Sequence, residues 1–259
     1  MRLIADTNFD IKLINKIAKN YSPLDYSVIL LDHLTKALPS ENFDSLSKYE
    51  LHKYINDLLL EHYLGEQVFK YKLCKNYFGK KDSIGAFEIN VNGSRADFLT
   101  INGHTSCFEI KTGLDNFSKF KKQAADYESV FEYNYLLVDY SHHAKALEVI
   151  PESFGLWISK NGKHKQIKQA ALNSKLNAQL QLNLLNKQEL VKSYPGEKPD
   201  RKHLLKSYCE IEINQRFKQS LKDRYRPRWE FIVRNRRDIL PIDLQFFFNR
   251  NILPHYIYH

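Results

Sequence analysis

The stretch AFEINVNGSRADFLTINGHTSCFEIK, residues 86–111, decides how this chain is read. Residues 86–91 alternate apolar and polar, and Asn92-Gly93-Ser94 is a strong hairpin turn. Residues 95–101 make a second strand, Asn102-Gly103 a second turn, and residues 106–111 a third strand. Three short strands joined by Asn-Gly turns specify an antiparallel meander. A period of two then puts Cys107, Glu109 and Lys111 on one face of the third strand, with Phe108 and Ile110 on the other. Asp97 stands in an apolar run between Ala96 and Phe98, and Glu88 lies on the first strand.

Acids and a lysine on so small a sheet are expensive to bury without a compensating cation. A divalent metal supplies one, and hard carboxylate oxygens suit Mg²⁺. Such a metal acidifies a bound water and stabilises charge on a phosphoryl oxygen. The neighbouring lysine can orient that water or stabilise the developing charge. These are the parts needed for phosphodiester hydrolysis.

Outward from the meander, Asp115 is positioned to cap a helix whose stripe is Phe117, Phe120, Ala124, Tyr127 and Phe131. Residues 134–140 then read as a strand covered on both faces, residues 144–149 as a short helix and residues 155–159 as a last strand. Upstream, helical spacing predicts helices from Ile11 (capped by Asn8 or Asp10), over 24–38, over 46–64 and over about 66–77. Downstream it predicts helix over 165–192, a break over 193–199 and helix over 200–221. The expected organisation is an N-terminal helical extension (1–45), an α/β core (46–160) and a basic, mainly helical C-terminal region (161–259).

Charge sharpens this division. The 259-residue chain carries a net +9, but residues 160–237 hold 20 Lys and Arg against 7 Asp and Glu. The rest of the chain is slightly acidic. A concentrated basic segment favours a polyanionic partner. Lys222, Arg224, Arg226, Arg228, Arg234, Arg236 and Arg237 interleave with Tyr225, Trp229 and Phe231, a mixture suited to phosphates and exposed bases. The aromatics are expected to be mostly packed and the arginines mostly to face a nucleic-acid backbone.

Other classes fall away. Mean hydropathy is −0.51, and no apolar run approaches a membrane span. MRLIADTNFD carries Asp6 and Asp10 and no apolar core, so no secretory signal is expected. Cys74, Cys107 and Cys209 lie far apart, which points away from a disulfide scaffold and toward a cytoplasmic setting. No phosphate-binding GxxxxGK[ST] loop occurs. His142-His143 lack partners at metal-ligand spacing.

Asp97, followed after eleven residues by Glu109-Ile110-Lys111, resembles the PD-(D/E)xK nuclease superfamily, with Ala96 where the motif's proline would stand. The element order also resembles that superfamily's restriction-endonuclease-like αβββαβ core, here with additional N- and C-terminal helices. Gly93-Ser-Arg95-Ala-Asp97, Phe108-Glu109-Ile110-Lys111 and Val149-Ile-Pro-Glu-Ser-Phe-Gly155 resemble a bacterial and phage-borne set within it, over roughly residues 80–160.

The resemblance implies that Asp97 and Glu109 hold the metal, helped by the backbone carbonyl of Ile110. It makes Lys111 the residue that positions water or stabilises charge, and Glu88 the upstream acid. Gln123 and Tyr127 resemble the Gln-xxx-Tyr element of RecB-like branches, which helps to hold the nucleic-acid strand. Arg95, Arg224, Arg226 and Arg228 are further candidate nucleic-acid contacts. The expected activity is therefore a Mg²⁺-dependent nuclease, with Mn²⁺ able to substitute and DNA favoured over RNA as partner. A homodimer or a protein complex stays open. Two alternatives also stay open: a non-catalytic nucleic-acid-binding module, and a nuclease subunit active only within a defence or mobile-element complex.

Overall fold

The computed structural model describes residues 11–160 and 162–259. In chain order the elements are α1 (Ile11–Asn20), α2 (Ser27–Ala37), α3 (Lys48–His62), α4 (Glu66–Cys74), β1 (Ile84–Val91), β2 (Ser94–Asn102), β3 (His104–Lys111), α5 (Phe120–Glu128) and β4 (Tyr133–Asp139). They continue with α6 (His143–Val149), β5 (Gly155–Lys160), β6 (Lys163–Lys168), α7 (Ala178–Asn183), α8 (Lys187–Ser193), α9 (Arg201–Ser207), α10 (Glu210–Asn235), α11 (Leu244–Arg250) and α12 (His255–Tyr258). Among the described residues, no helix is long and apolar enough to cross a membrane. The expected cap at Asn8 or Asp10, and the reading of the first ten residues, lie outside the described residues.

The chain forms two compact units, residues 11–71 with Phe231–His259 and residues Lys72–Glu230. They cut the chain elsewhere than at 45 and 160. In the helical unit, α1, α2 and α3 bury Ile14, Ile17, Leu30, Leu34, Leu51, Ile55 and Leu58 in one cluster. Helix α3 starts at Lys48 because Ser47 and Glu50 form a capping box, each side chain accepting from the other's backbone N–H.

The second unit is built on a six-stranded mixed sheet in the order β1-β2-β3-β4-β5-β6. The β1–β2, β2–β3 and β5–β6 pairs are antiparallel, while β3, β4 and β5 run parallel through α5 and α6. Asn92 and Gly93 both take positive φ (50° and 85°), the geometry a two-residue hairpin demands. Register places Phe87, Phe98, Phe108 and Tyr135 in one row on one face. Phe108 stacks on Tyr135 with ring centroids 4.9 Å apart. Trp229 of α10 packs on that face against Phe98 and over Gly85, where any Cβ would lie 2.4 Å from the indole. The opposite face carries Glu109 and Lys111 and faces α5.

Three local expectations are corrected. Asp115 caps no helix: its carboxylate closes a turn by accepting from Thr112 N (2.8 Å) and Thr112 Oγ1 (2.7 Å), and α5 begins only at Phe120. Residues 165–192 are not one helix. Residues 163–168 are an edge strand, and the loop after it is pinned inward by Asn173, whose side chain donates to Phe131 O (2.9 Å). The four-residue leucine spacing there is broken by Leu172, which is exposed. The helix expected over 200–221 is two helices, parted at Tyr208 and Cys209, and the second runs through Pro227 to Asn235.

Candidate active site

The β2–β3 ladder ends at Phe98↔Phe108. One step beyond, the Asp97 carboxylate replaces a ladder acceptor and takes the N–H of Ile110 at 2.7 Å. The two strands part there, while β3 continues in parallel pairing with β4 to Lys111↔Val138. This fork presents Asp97, Glu109 and Lys111 together, and all three are buried.

Glu109 is held from three sides. Lys111 Nζ donates to its Oε1 at 2.6 Å, Gln123 Nε2 to the same oxygen at 2.6 Å, and Tyr127 Oη to Oε2 at 2.8 Å. Lys111 Nζ also reaches Gln123 Oε1 at 3.2 Å, closing a ring of contacts. Burial pushes the Glu109 carboxyl above its ordinary range, against the opposing pull of Lys111, Tyr127 and Gln123. Burial and the Glu109 charge likewise push the Tyr127 phenol far up, so it stays a donor. Cys107, on the same face, is kept a thiol by burial and by the nearby Glu109 and Asp97.

Glu88 stands opposite Asp97 in the β1–β2 register but is skipped by the ladder, with φ +57°. A left-handed backbone at a non-glycine residue in mid-strand costs roughly 1–3 kcal/mol and gathers at functional sites. Its carboxylate and that of Asp97 come within 4.8 Å of each other. Arg95 Nε forms an ion pair with Glu88, so its charge is directed to an acid of the cluster. Hard oxygen donors converging at this spacing fit a small divalent cation.

The sequence-derived candidates divide cleanly. Asp97, Glu109, Lys111, Gln123 and Tyr127 are brought together, with Glu88 beside Asp97. Gln123 and Tyr127, expected to help hold the nucleic-acid strand near the metal, both donate to Glu109. Arg224 has its partners within the chain. It makes two 2.6 Å bonds to Glu189 and one of 2.8 Å to Leu184 O, at a cavity of about 510 Å³ between α8 and α10. Arg226 lies 3.6 Å from Glu230, and Arg228 is exposed. The aromatics of this segment do pack, Trp229 most fully.

One contributor escaped the sequence. Asp126 of α5 accepts from Asn92 Nδ2 (3.1 Å), Lys122 Nζ (2.6 Å) and Ser94 Oγ, which fastens the helix to the first hairpin. Against the upward push of burial, these bonds hold its carboxyl below the usual range. They fix the rotation of α5 that aims Gln123 and Tyr127 at Glu109. The only sequence signal was the Lys122–Asp126 spacing of four.

No curated protein matches the chain. A solved protein of unknown function from Silicibacter pomeroyi is similar at 18% identity, over 58% of this chain and 84% of its own, with a TM-score of 0.31. The family model described as Bacteriophage P4 protein cII matches residues 54–247, well over half of the sequence, and the chain belongs to that family.

Proposed function

We propose that this chain is a metal-dependent nuclease of PD-(D/E)xK type that hydrolyses phosphodiester bonds, DNA before RNA. The observation that carries this reading is the fork itself. A buried Asp97 braces the Ile110 backbone while Glu109 and Lys111 emerge side by side, 2.6 Å apart, on the same face.

Asp97 and Glu109 would hold Mg²⁺ or Mn²⁺, with Glu88 as a further acid and the Ile110 carbonyl as a neutral donor. When bound, the metal supplies Lewis-acid stabilisation of phosphoryl oxygens and a more acidic water. Lys111 positions the attacking water or stabilises charge developing on the phosphate. Gln123 and Tyr127 act as positioning residues, since both donate to Glu109 and hold its carboxylate in one orientation.

The test is cleavage of linear, circular, single-stranded and branched DNA, and of RNA, with Mg²⁺ or Mn²⁺, beside Glu109→Ala. Metal-dependent cutting that the variant lacks supports the reading. Absence of any metal binding by the wild type sinks it.

A further inference from the structure

The sheet ends in a strand composed almost entirely of surface residues. Strand β6 reads Lys163-His-Lys-Gln-Ile-Lys168 and pairs only with β5 in the sheet order. Register decides where its lysines point. Lys111 pairs with Val138, Val138 with Ile158, and Ile158 with Lys165, so these four form one row on a common face. Lys163, two residues before Lys165, shares that face and pairs with Lys160. Lys160, Lys163 and Lys165 thus stand on the side of the sheet that carries Glu109 and Lys111.

They are also at the right end. Lys111 closes β3 and Lys160 closes β5, two parallel strands, and ligands of such sheets gather beyond the carboxyl ends. Three strand spacings, ~14 Å, separate β3 from β6. That is the reach of about four nucleotides at ~3.4 Å each. All three lysines are exposed, and none has an ion pair among the described residues. Lys160 Nζ lies 4.1 Å from the Tyr140 ring centroid. Behind the hairpin the charge is reinforced. Gly162, at φ +70°, lets Lys72 approach so closely that a Cβ there would sit 2.7 Å from its Nζ. Burial, then Lys72 and Lys75, push His164 down to about 4, so it adds no charge of its own at neutral pH.

We propose that Lys160, Lys163 and Lys165 form a phosphate-gripping edge for the nucleic-acid strand engaged at the Glu109–Lys111 site. This rests on the reading of the chain as one that acts on nucleic acid, and adds to it where the strand runs. Lysines on an edge strand also discourage sheet-to-sheet pairing. That role needs no alignment with Lys111 and leaves nucleic-acid binding untouched.

The experiment is fluorescence anisotropy of the whole chain with a labelled single-stranded or duplex DNA 20-mer, in chelator so that nothing is cut. The combined substitution Lys160→Gln, Lys163→Gln, Lys165→Gln is compared with wild type across salt concentrations. We expect affinity to fall about tenfold or more and the log–log salt slope to flatten by roughly 2–3 for three lost phosphate contacts. Melting temperature should be unchanged, and Lys165→Gln alone should flatten the slope by roughly one contact. Wild-type affinity and slope in the combined variant overturn the proposal, including when that variant aggregates. So does wild-type protein that ignores DNA and RNA but binds phosphatidylserine vesicles. Wild type that cuts DNA while the variant binds normally sinks the edge and leaves the nuclease reading standing. Wild type that binds no nucleic acid removes both.

Discussion

Each unit of this protein has a deeply buried carboxylate among hydroxyl and amide donors, Glu109 in the sheet unit and Asp243 in the helical unit; burial pushes both upward, but their partners differ. In the sheet unit Glu109 accepts from Tyr127 and Gln123. In the helical unit Asp243 Oδ2 accepts from Tyr258 (2.7 Å), Tyr21 (2.9 Å) and Asn56 (3.2 Å). Both side chains are 2% exposed. Only Glu109 also has an ammonium in contact, that of Lys111. The Asp243 donors are neutral, and burial pushes its carboxyl up to about 7 despite them. The neutral hydrogen bonds on Asp243 satisfy its oxygen without cancelling the upward push of burial. Asp243 is a bracket joining Tyr21, α3 and the last helix, whereas Glu109 faces a cationic side chain in Lys111.

Lys111→Met breaks this contrast most directly, by giving Glu109 the surroundings of Asp243. We expect ~3–5 kcal/mol of destabilisation at neutral pH, because an uncompensated buried charge remains. The loss should shrink at pH 5. Glu109 then binds its proton more tightly folded than unfolded, so acid favours the folded state. Denaturant unfolding at both pH values checks this, and equal losses would mean that Lys111 does not hold the charge.

Asp243→Asn tests the other half. A folded value of about 7 against an ordinary carboxylate value of 3.8 makes the wild-type contribution full below about 3.8 and lost as pH rises through about 7. The variant lacks that loss. Relative to wild type it should gain up to ~4 kcal/mol at pH 8 and nothing near pH 4. His52, linked through Tyr21 at 2.9 Å, slopes the other way. Burial, then Lys48, push it down to about 4, so its contribution is present above 6.5 and fades as pH falls. His52→Gln should accordingly show its largest gain over wild type in acid. Melting curves across pH for the two variants should diverge in opposite directions.

Tyr127→Phe sharpens the account of Glu109. Losing one bond to a charged acceptor costs roughly 1.5–3 kcal/mol. It also raises the Glu109 carboxyl further, so on the nuclease reading proposed above the acid limb of the cleavage profile should move to higher pH. A limb that stays put would detach Tyr127 from the chemistry. The smallest effects separate two arginines that look alike in sequence. Arg224→Gln breaks a partly buried bidentate pair and should cost roughly 1–3 kcal/mol with little change in DNA affinity. Arg226→Ala, in a half-exposed pair with Glu230, should cost less than about 0.5 kcal/mol. A large loss of DNA affinity in Arg224→Gln would mark that residue as a nucleic-acid contact.

Much of this was legible in the chain itself. Asn-Gly turns, alternation on the first strand and one helical stripe specify the meander and α5, because local geometry and burial there demand the same residues. Period two alone put Glu109 and Lys111 side by side. The edge strand β6 was invisible for the converse reason: exposed on most of its length, it needs no apolar alternation, and lysines fit a helix pattern as readily. The pairing of Arg224 with Glu189 was not legible, because charge does not reveal its partner and Glu189 lies thirty-five residues away. Tertiary structure alone decided that Asp97 braces Ile110, that Asp126 turns α5 toward Glu109, and that Lys165 lies in the row of Lys111. Each depends on strand register or on contacts between residues far apart in sequence, and such pairings are set by the packing of the whole unit rather than by any segment's own preference.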